Sequence, residues 1–412
     1  MRVQRCKGMR DLSPAEMKVF GQIEGLFRDI CLKWGYQEVR TPTIESLHLF
    51  TSTGTLTPGM LGKVYSFLDW DGWSGERVVL RPDGTIPVAR FYIDSMADKG
   101  LAKLFYITNT FIFEETGKEN REKWQSGAEL IGVKSVTADV ELVILALEVL
   151  QSLGIEGVEL RLSHAGIIRA LLTRLGLSAE EQATLFDQIL EGNTRALARL
   201  KPGDGGQKEA LTLLLERKEK STRFLREVKA LSPELERPLN NLIKAAELLE
   251  ALGYDYLIDI ASGRGFEYYT GVIFQLSVGN KKIGGGGRYD ALIPLMGGKD
   301  VPASGFALYL NQLMKLLKPK TELKTSGRKI LIRAKADLPE ILTEGFKLAK
   351  SLHGAGYSAE IQLGDEAPAD LRWTIEIQDK APRFRLTDRA KKKHFSAPSS
   401  AEIQQLLDKE SE

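Results

Sequence analysis

The sequence predicts an α+β protein: an antiparallel sheet flanked by helices, carrying a helical insertion and followed by a small C-terminal α/β domain. Three observations predict it. Val272-Ile273-Phe274-Gln275-Leu276-Ser277-Val278 reads as a strand, Gly279-Asn280 as a two-residue hairpin turn, and Lys281-Lys282-Ile283 as the return strand. Such antiparallel hairpins do not suit a doubly wound parallel sheet. Between about Leu171 and Leu252 the texture is almost continuously helical. Beyond a linker, Lys318 to Gly327, the order strand, helix, strand returns. The expected division is therefore a core over 1–318, with the insertion at 171–252, and a second domain over 328–412.

Taken in order, the core opens with a well-signed helix. Ser13 can cap it, Pro14 fits its first position, and Glu16 places a carboxylate where the helix dipole favours one. Phe20, Ile23, Phe27, Ile30 and Trp34 share one face, and Gly35 is placed to end the helix. Gln37 to Thr41 then reads as a short strand ended by Pro42. In the insertion, Ser178 and Glu181 form a capping box ahead of Leu185, Ile189 and Leu190. Ser232-Pro233-Glu234 starts a further helix, and Lys201 to Gly206 is a turn between the two. Strands resume at Leu257-Ile258-Asp259-Ile260. In the last domain Lys329-Ile330-Leu331-Ile332 and Ser358 to Gln362 are strands around a helix from Ile341 to Leu352.

Composition excludes little. The 412 residues exceed the usual size of one core, so two or three domains are expected. Lys+Arg 57 against Asp+Glu 55 leaves a net charge of +2, too balanced to demand nucleic acid. The short basic run Arg389 to His394 reads as a solvated loop. Cys6 and Cys31 lack metal-ligand spacing and read as buried thiols. His48, His164, His353 and His394 stand too far apart for a metal pattern or a triad, so no metal or cofactor is expected. The N-terminus lacks an apolar leader and no apolar run approaches the ~18 residues of a membrane span, so the expected location is cytoplasmic, with no membrane contact.

Four phrases carry chemistry: Leu80-Arg81-Pro82-Asp83-Gly84-Thr85, Gln125-Ser126-Gly127-Ala128-Glu129, Arg264-Gly265-Phe266-Glu267-Tyr268-Tyr269-Thr270, and Gly284-Gly285-Gly286-Gly287-Arg288-Tyr289-Asp290. Each has a structural reading when taken alone. Asp83-Gly84 is a common turn pair, Gln125 and Glu129 could line a solvated strand face, and tyrosines pack cores. The glycine run lacks the Lys-Ser/Thr of a P-loop and suits a close approach of the backbone to a ligand or a neighbouring strand.

Together and in this order, the phrases resemble the histidine-binding core of the histidyl-type class II aminoacyl-tRNA synthetases. The helix, strand and Pro42 at the start resemble the first class II motif, which in that family builds a dimer interface. The resemblance implies a class II aminoacyl-tRNA synthetase-like fold in which Asp83, Thr85 and Gln125 hold the amino group of L-histidine. It further implies that Glu129 accepts from the imidazole, Arg264 stands beside the carboxylate, and Tyr269 and Tyr289 line the ring. Aspartate at 83 replaces the family's glutamate, which shortens the reach by one methylene.

The nucleotide clamp departs from the family. Where the second motif would read Phe-Arg-x-Glu, the chain reads Phe111-Ile112-Phe113-Glu114. Where the third would end in Glu-Arg, it ends in Asn311-Gln312. Ile112 and Gln312 thus remove the two arginines that hold ATP, and losing one such donor typically costs about 100- to 1,000-fold in rate. Lys118 and Arg121 remain as candidate anion contacts, with solvated loop charges the preferred reading. A histidine pocket without a clamp resembles the regulatory-subunit branch of the ATP phosphoribosyltransferases. That branch implies a catalytically silent homodimer, joined with a short-form transferase catalytic subunit in a hetero-oligomer and needed for its activity and its feedback by histidine. The insertion, which covers the acceptor end of tRNA in the synthetases, reads here as a structural or partner-binding module, and tRNA is not expected as a partner. The C-terminal domain resembles a reduced anticodon-binding domain as far as Gln362. A diverged but active histidine–tRNA ligase is the alternative reading, and an amino-acid-binding module with some other partner is the third.

Overall fold

The computed structural model describes residues 4–56, 58–70, 75–112, 120–173, 217–231, 235–262, 268–317, 329–334, 338–362, 371–381 and 383–411, with Ser178, Glu181, Leu185 and Leu214 between them. The expected linker, the turn at 201–206 and the helix start at 232–234 lie outside these residues. The chain divides into two compact units, Met1–Lys318 and Pro319–Glu412.

The first unit is built on an eight-stranded sheet. In chain order its strands are β1 (Gln37–Glu38), β5 (Ala102–Phe111), β6 (Glu122–Ile131), β7 (Val158–His164), β8 (Leu257–Ile258), β9 (Val272–Val278), β10 (Lys281–Arg288) and β11 (Ala303–Tyr309). Their spatial order is β1-β5-β6-β11-β10-β9-β7-β8. Only β1·β5 and β7·β8 are parallel, so the expected antiparallel sheet is a mixed one with parallel pairs at both edges. A separate antiparallel sheet joins β2 (Ile44–Ser46), β4 (Gly75–Leu80) and β3 (Ser66–Trp70).

Sequence chemistry accounts for the helices that cover the main sheet. Helix α1 (Pro14–Lys33) begins with a full capping box, Ser13 Oγ accepting from Glu16 N and Glu16 from Ser13 N. Its Phe20, Ile23, Phe27 and Ile30 are buried against the sheet together with α4 (Val136–Ser152) and the helix Glu236–Ala251. The opposite face packs against α3 (Thr85–Ser95), with Phe50 from α2 (Leu47–Thr51). In the insertion, Ser178 and Glu181 do cap one another, at 2.8 and 3.3 Å.

Two expected strands are shorter than the pattern suggested. The first stops at Glu38, because the carbonyls of Thr41 and Pro42 accept from the Arg81 guanidinium at 2.8 and 2.9 Å. The second stops at Ile258, where a 3-10 turn, Ile260–Ser262, takes over. Cys31 is buried as expected, but Cys6 is exposed on the N-terminal segment, which has no helix or strand to cover it.

The second unit is a five-stranded sheet, β12 (Lys329–Ala334), β13 (Ser358–Ile361), β14 (Trp373–Ile377), β15 (Phe384–Asp388) and β16 (Lys393–Ala397), in spatial order β13-β12-β14-β15-β16. The helices Pro339–Gly354 and Ser400–Ser411 contribute Ile341, Leu348, Leu352, Ile403 and Leu407 to its core. The basic run spans the turn between β15 and β16 and the first residues of β16, and Lys391 in the turn pairs with Glu410 at 2.9 Å. Among the described residues no helix is long and apolar enough to cross a membrane.

Candidate functional site

Alternation along β6 puts Gln125, Gly127 and Glu129 on one face, the face turned toward α3. Their partners in register are Thr108, Tyr106 and Leu104 on β5, and Tyr309, Ala307 and Gly305 on β11. The next strand adds Gly285 and Gly287 opposite Ala307 and Gly305. The sheet therefore presents a floor of small residues between walls of polar and aromatic side chains. A Cβ on any of the four glycines of β10 would stand 2.1–2.8 Å from a backbone oxygen of a neighbouring strand. The run is therefore fixed by strand approach as well as by the open floor.

Glu129 is the centre of the site. It is 1% exposed, and its Oε2 occupies the space over Gly305, 1.5 Å from where a Cβ would be. Tyr106 donates to Oε1 at 3.2 Å and Tyr289 donates to Oε2. Thr85 Oγ1 lies 3.4 Å from the Tyr106 hydroxyl. Burial raises the Glu129 carboxyl to about 8, against the lowering effect of its Tyr289 contact. The same burial holds the phenols of Tyr106, Tyr268, Tyr269 and Tyr289 well above their ordinary value.

Asp83 stands at the start of α3. Its Oδ1 accepts from Ile86 N at 2.9 Å, so the carboxylate caps the first turn of α3. Burial raises it to about 6, opposed by the amides of Ile86, Thr85 and Gly84. Gln125 stands beside this turn, its Nε2 2.5 Å from the position of a Cβ on Gly84. That Nε2 is buried and has no hydrogen-bond partner among the described residues, a state that costs roughly 1–3 kcal/mol unless another group fills it. Tyr269 and Tyr289 meet through Tyr268, with ring centroids 5.1 and 5.6 Å from it.

The structure thus brings Asp83, Thr85, Gln125, Glu129, Tyr269 and Tyr289 to one face of the sheet, around one buried polar cluster. The alternative of a solvated strand for Gln125 and Glu129 is overturned by their burial. Arg264 lies outside the described residues. Sequence reasoning missed Tyr106. The signal was its position on an alternating strand, Leu104-Phe105-Tyr106, whose pairing with Gly127 could not be foreseen.

At the nucleotide end, Ile112 is half-buried at the end of β5, its N donating to Arg121 O at 3.1 Å. Gln312 is half-buried in the first turn of the helix Leu310–Leu316, beside Asn311, whose Oδ1 accepts from Trp124 N at 2.6 Å. Arg121 is no solvated loop charge: it is half-buried and donates to the Tyr65 hydroxyl at 3.1 Å. Its backbone pairing with Ile112 draws it into the base of the hairpin. Lys118 lies outside the described residues.

Residues 8–313 match the family model described as histidyl-tRNA synthetase. An ATP phosphoribosyltransferase regulatory subunit of Dehalococcoides mccartyi is 49% identical over 412 residues, covering 99% of each chain. A histidine–tRNA ligase of Methanocaldococcus jannaschii is 31% identical, covering 87% of this chain and 86% of that one. Among solved structures, an ATP phosphoribosyltransferase regulatory subunit/histidyl-tRNA synthetase from Bacillus halodurans shares the fold at a TM-score of 0.76 and 24% identity, over 90% of this chain and 95% of that one. Apo histidyl-tRNA synthetase of S. aureus does so at 0.68 and 20% identity, over 98% and 99%. The chain belongs to the histidyl-tRNA synthetase family, among the ATP phosphoribosyltransferase regulatory subunits.

Proposed function

We propose that this chain is the non-catalytic, histidine-binding subunit of an ATP phosphoribosyltransferase, required for the activity and feedback control of a short-form catalytic subunit. The observation that carries the reading is Gln125 Nε2, a buried donor without a partner among the described residues, set beside the Asp83–Thr85 turn. A site with an orphaned donor and two carboxylates at its wall suits a small zwitterion with further polar groups of its own. In this reading Asp83, Thr85 and Gln125 take the ammonium and carboxyl end, with Arg264 beside the carboxylate. Glu129, held by Tyr106 and Tyr289, takes the imidazole, and Tyr269 packs the ring. The relatives named as regulatory subunits support the partner. The uncharged Ile112 and Gln312 support silence in adenylation, since nothing at those positions offsets phosphate charge. The working unit would be a homodimer inside a hetero-oligomer.

Relatives named histidine–tRNA ligase favour an active ligase as the second reading. Histidine-dependent exchange of pyrophosphate into ATP separates the two. The purified protein should bind L-histidine in a calorimetric titration and show no exchange above background. A clear exchange rate would establish the ligase reading instead.

A further inference from the structure

We propose that Arg288 is a positioning residue for this pocket, one that sets Tyr289, Tyr269 and Glu129 without touching the ligand. The inference rests on the reading of the site as a histidine pocket. Arg288 ends β10, and its side chain is buried. A guanidinium has five N–H donors, and here each faces an acceptor. Nε donates to Asp139 Oδ2 at 3.1 Å, and Nη1 donates to Val133 O and Asp290 Oδ1, both at 3.1 Å. Nη2 donates to Ser135 O at 3.0 Å and stands 2.8 Å from Asp139 Oδ1.

What gathers around this fork are the stretches that carry the pocket. The Arg288 carbonyl accepts from Thr270 N at 2.7 Å and from Gly271 N at 3.3 Å, directly after Tyr269. Asp290 N donates to Thr270 Oγ1 at 3.0 Å, and Asp290 Oδ1 accepts from Ala303 N at 3.1 Å. Tyr289 N donates to Ala303 O at 2.8 Å, and Ser304 Oγ donates to Asp139 Oδ1 at 2.6 Å. Ser304 precedes Gly305, over which the Glu129 carboxylate rests. Tyr269, Tyr289 and the seat of Glu129 are thus each one residue from a hydrogen bond to Arg288, Asp139 or Asp290. Asp139 anchors the whole to the first turn of α4. Lysine would keep the charge but bring three donors to five acceptors in a geometry that has no fork.

The test is calorimetric titration of L-histidine into the wild type, Arg288→Lys, and Leu145→Ala, a buried α4 residue outside the fork's hydrogen bonds that serves as a destabilised control. Arg288→Lys should weaken histidine about tenfold or more, while Leu145→Ala lowers the melting temperature without changing affinity. In a Tyr289→Phe background Arg288→Lys should add little, because both act on the same contact. Equal affinity for the wild type and a folded Arg288→Lys overturns the proposal, as does full additivity with Tyr289→Phe. If Arg288→Lys does not fold, Asp290→Ala removes one acceptor at a half-buried position, and unchanged affinity there overturns it equally. A wild type that binds no histidine sinks the histidine reading alone. The positioning is then read from the near-ultraviolet circular dichroism of the tyrosines, which Arg288→Lys must alter and Leu145→Ala must not, and an unaltered spectrum overturns it.

Discussion

Glu129 shows how one residue can set the behaviour of the site. Its carboxylate is buried and bonded by two phenols, and among the described residues no cation is a hydrogen-bonding partner. With its carboxyl raised to about 8, the free protein holds a proton there at pH 7, while the unfolded chain, titrating near 4.5, does not. Between these values the native state binds more protons, so stability falls as pH rises through the window. Glu129→Gln should flatten that fall in a series of thermal melts from pH 5 to 8. Ligand binding follows from the same proton. An ammonium near Asp83 and an imidazole N–H donating to Glu129 favour their charged forms, so histidine binding at pH 7 should release protons and tighten toward pH 8. Calorimetry in two buffers of different ionisation enthalpy reads the release directly, and heats that do not depend on the buffer would rule it out. Glu129→Ala should weaken histidine ten- to a hundredfold, because a charged hydrogen bond contributes ~1.5–3 kcal/mol. Unchanged affinity in a folded variant would mean that the pocket is vestigial.

At the scale of elements, the decisive one is β10. Its glycines could be read from the sequence as permitting close approach, and the neighbours they approach turn out to be β9 and β11. A Cβ on Gly286 would stand 2.1 Å from Gly305 O, so Gly286→Ala must push β11 away and overpack the sheet, at a cost of about 1–3 kcal/mol. Since β11 seats Glu129 through Gly305, that variant should lose histidine affinity along with stability in urea denaturation. A variant as stable as the wild type would show that the strands do not meet so closely. The helix at Pro14, the hairpin at Gly279-Asn280 and the residues that converge on the buried polar cluster are legible because each announces itself locally, by a cap, a turn pair or a short motif. What was not legible depends on distant pairing. The strand after Glu38 ends early because Arg81, far along the chain, takes its carbonyls. Tyr106 enters the site because β5 pairs with β6 in one register. That Asp83 also accepts from Ile86 N at the start of α3 depends on where that helix begins, which the short motif does not state. The strands β14 to β16 lie beyond the family resemblance, which stops near Gln362, although Trp373-Thr374-Ile375-Glu376-Ile377 alternates.

For the whole molecule, a subunit with no chemistry of its own acts only through contact, so the proposed function stands or falls on assembly. Histidine can regulate the complex only if it prefers one assembly or activity state, since equal affinity for two states shifts neither. Mixed with a short-form ATP phosphoribosyltransferase from the same organism, the protein should elute as a complex larger than either component and raise the partner's turnover. Added histidine should lower that turnover again. Arg264→Ala separates the two halves of the argument. The arginine is assigned to the ligand's carboxylate, and a lost charged contact weakens binding by ~1.5–3 kcal/mol. Histidine feedback should therefore shift to ten- to a hundredfold higher concentration, while the elution volume and the histidine-free rate stay as in the wild type. Loss of assembly in that variant would place Arg264 at an interface instead of in the pocket. Independent elution of the two wild-type proteins at micromolar concentration, with an unchanged transferase rate, would remove the regulatory reading and leave a histidine-binding protein whose partner is some other molecule.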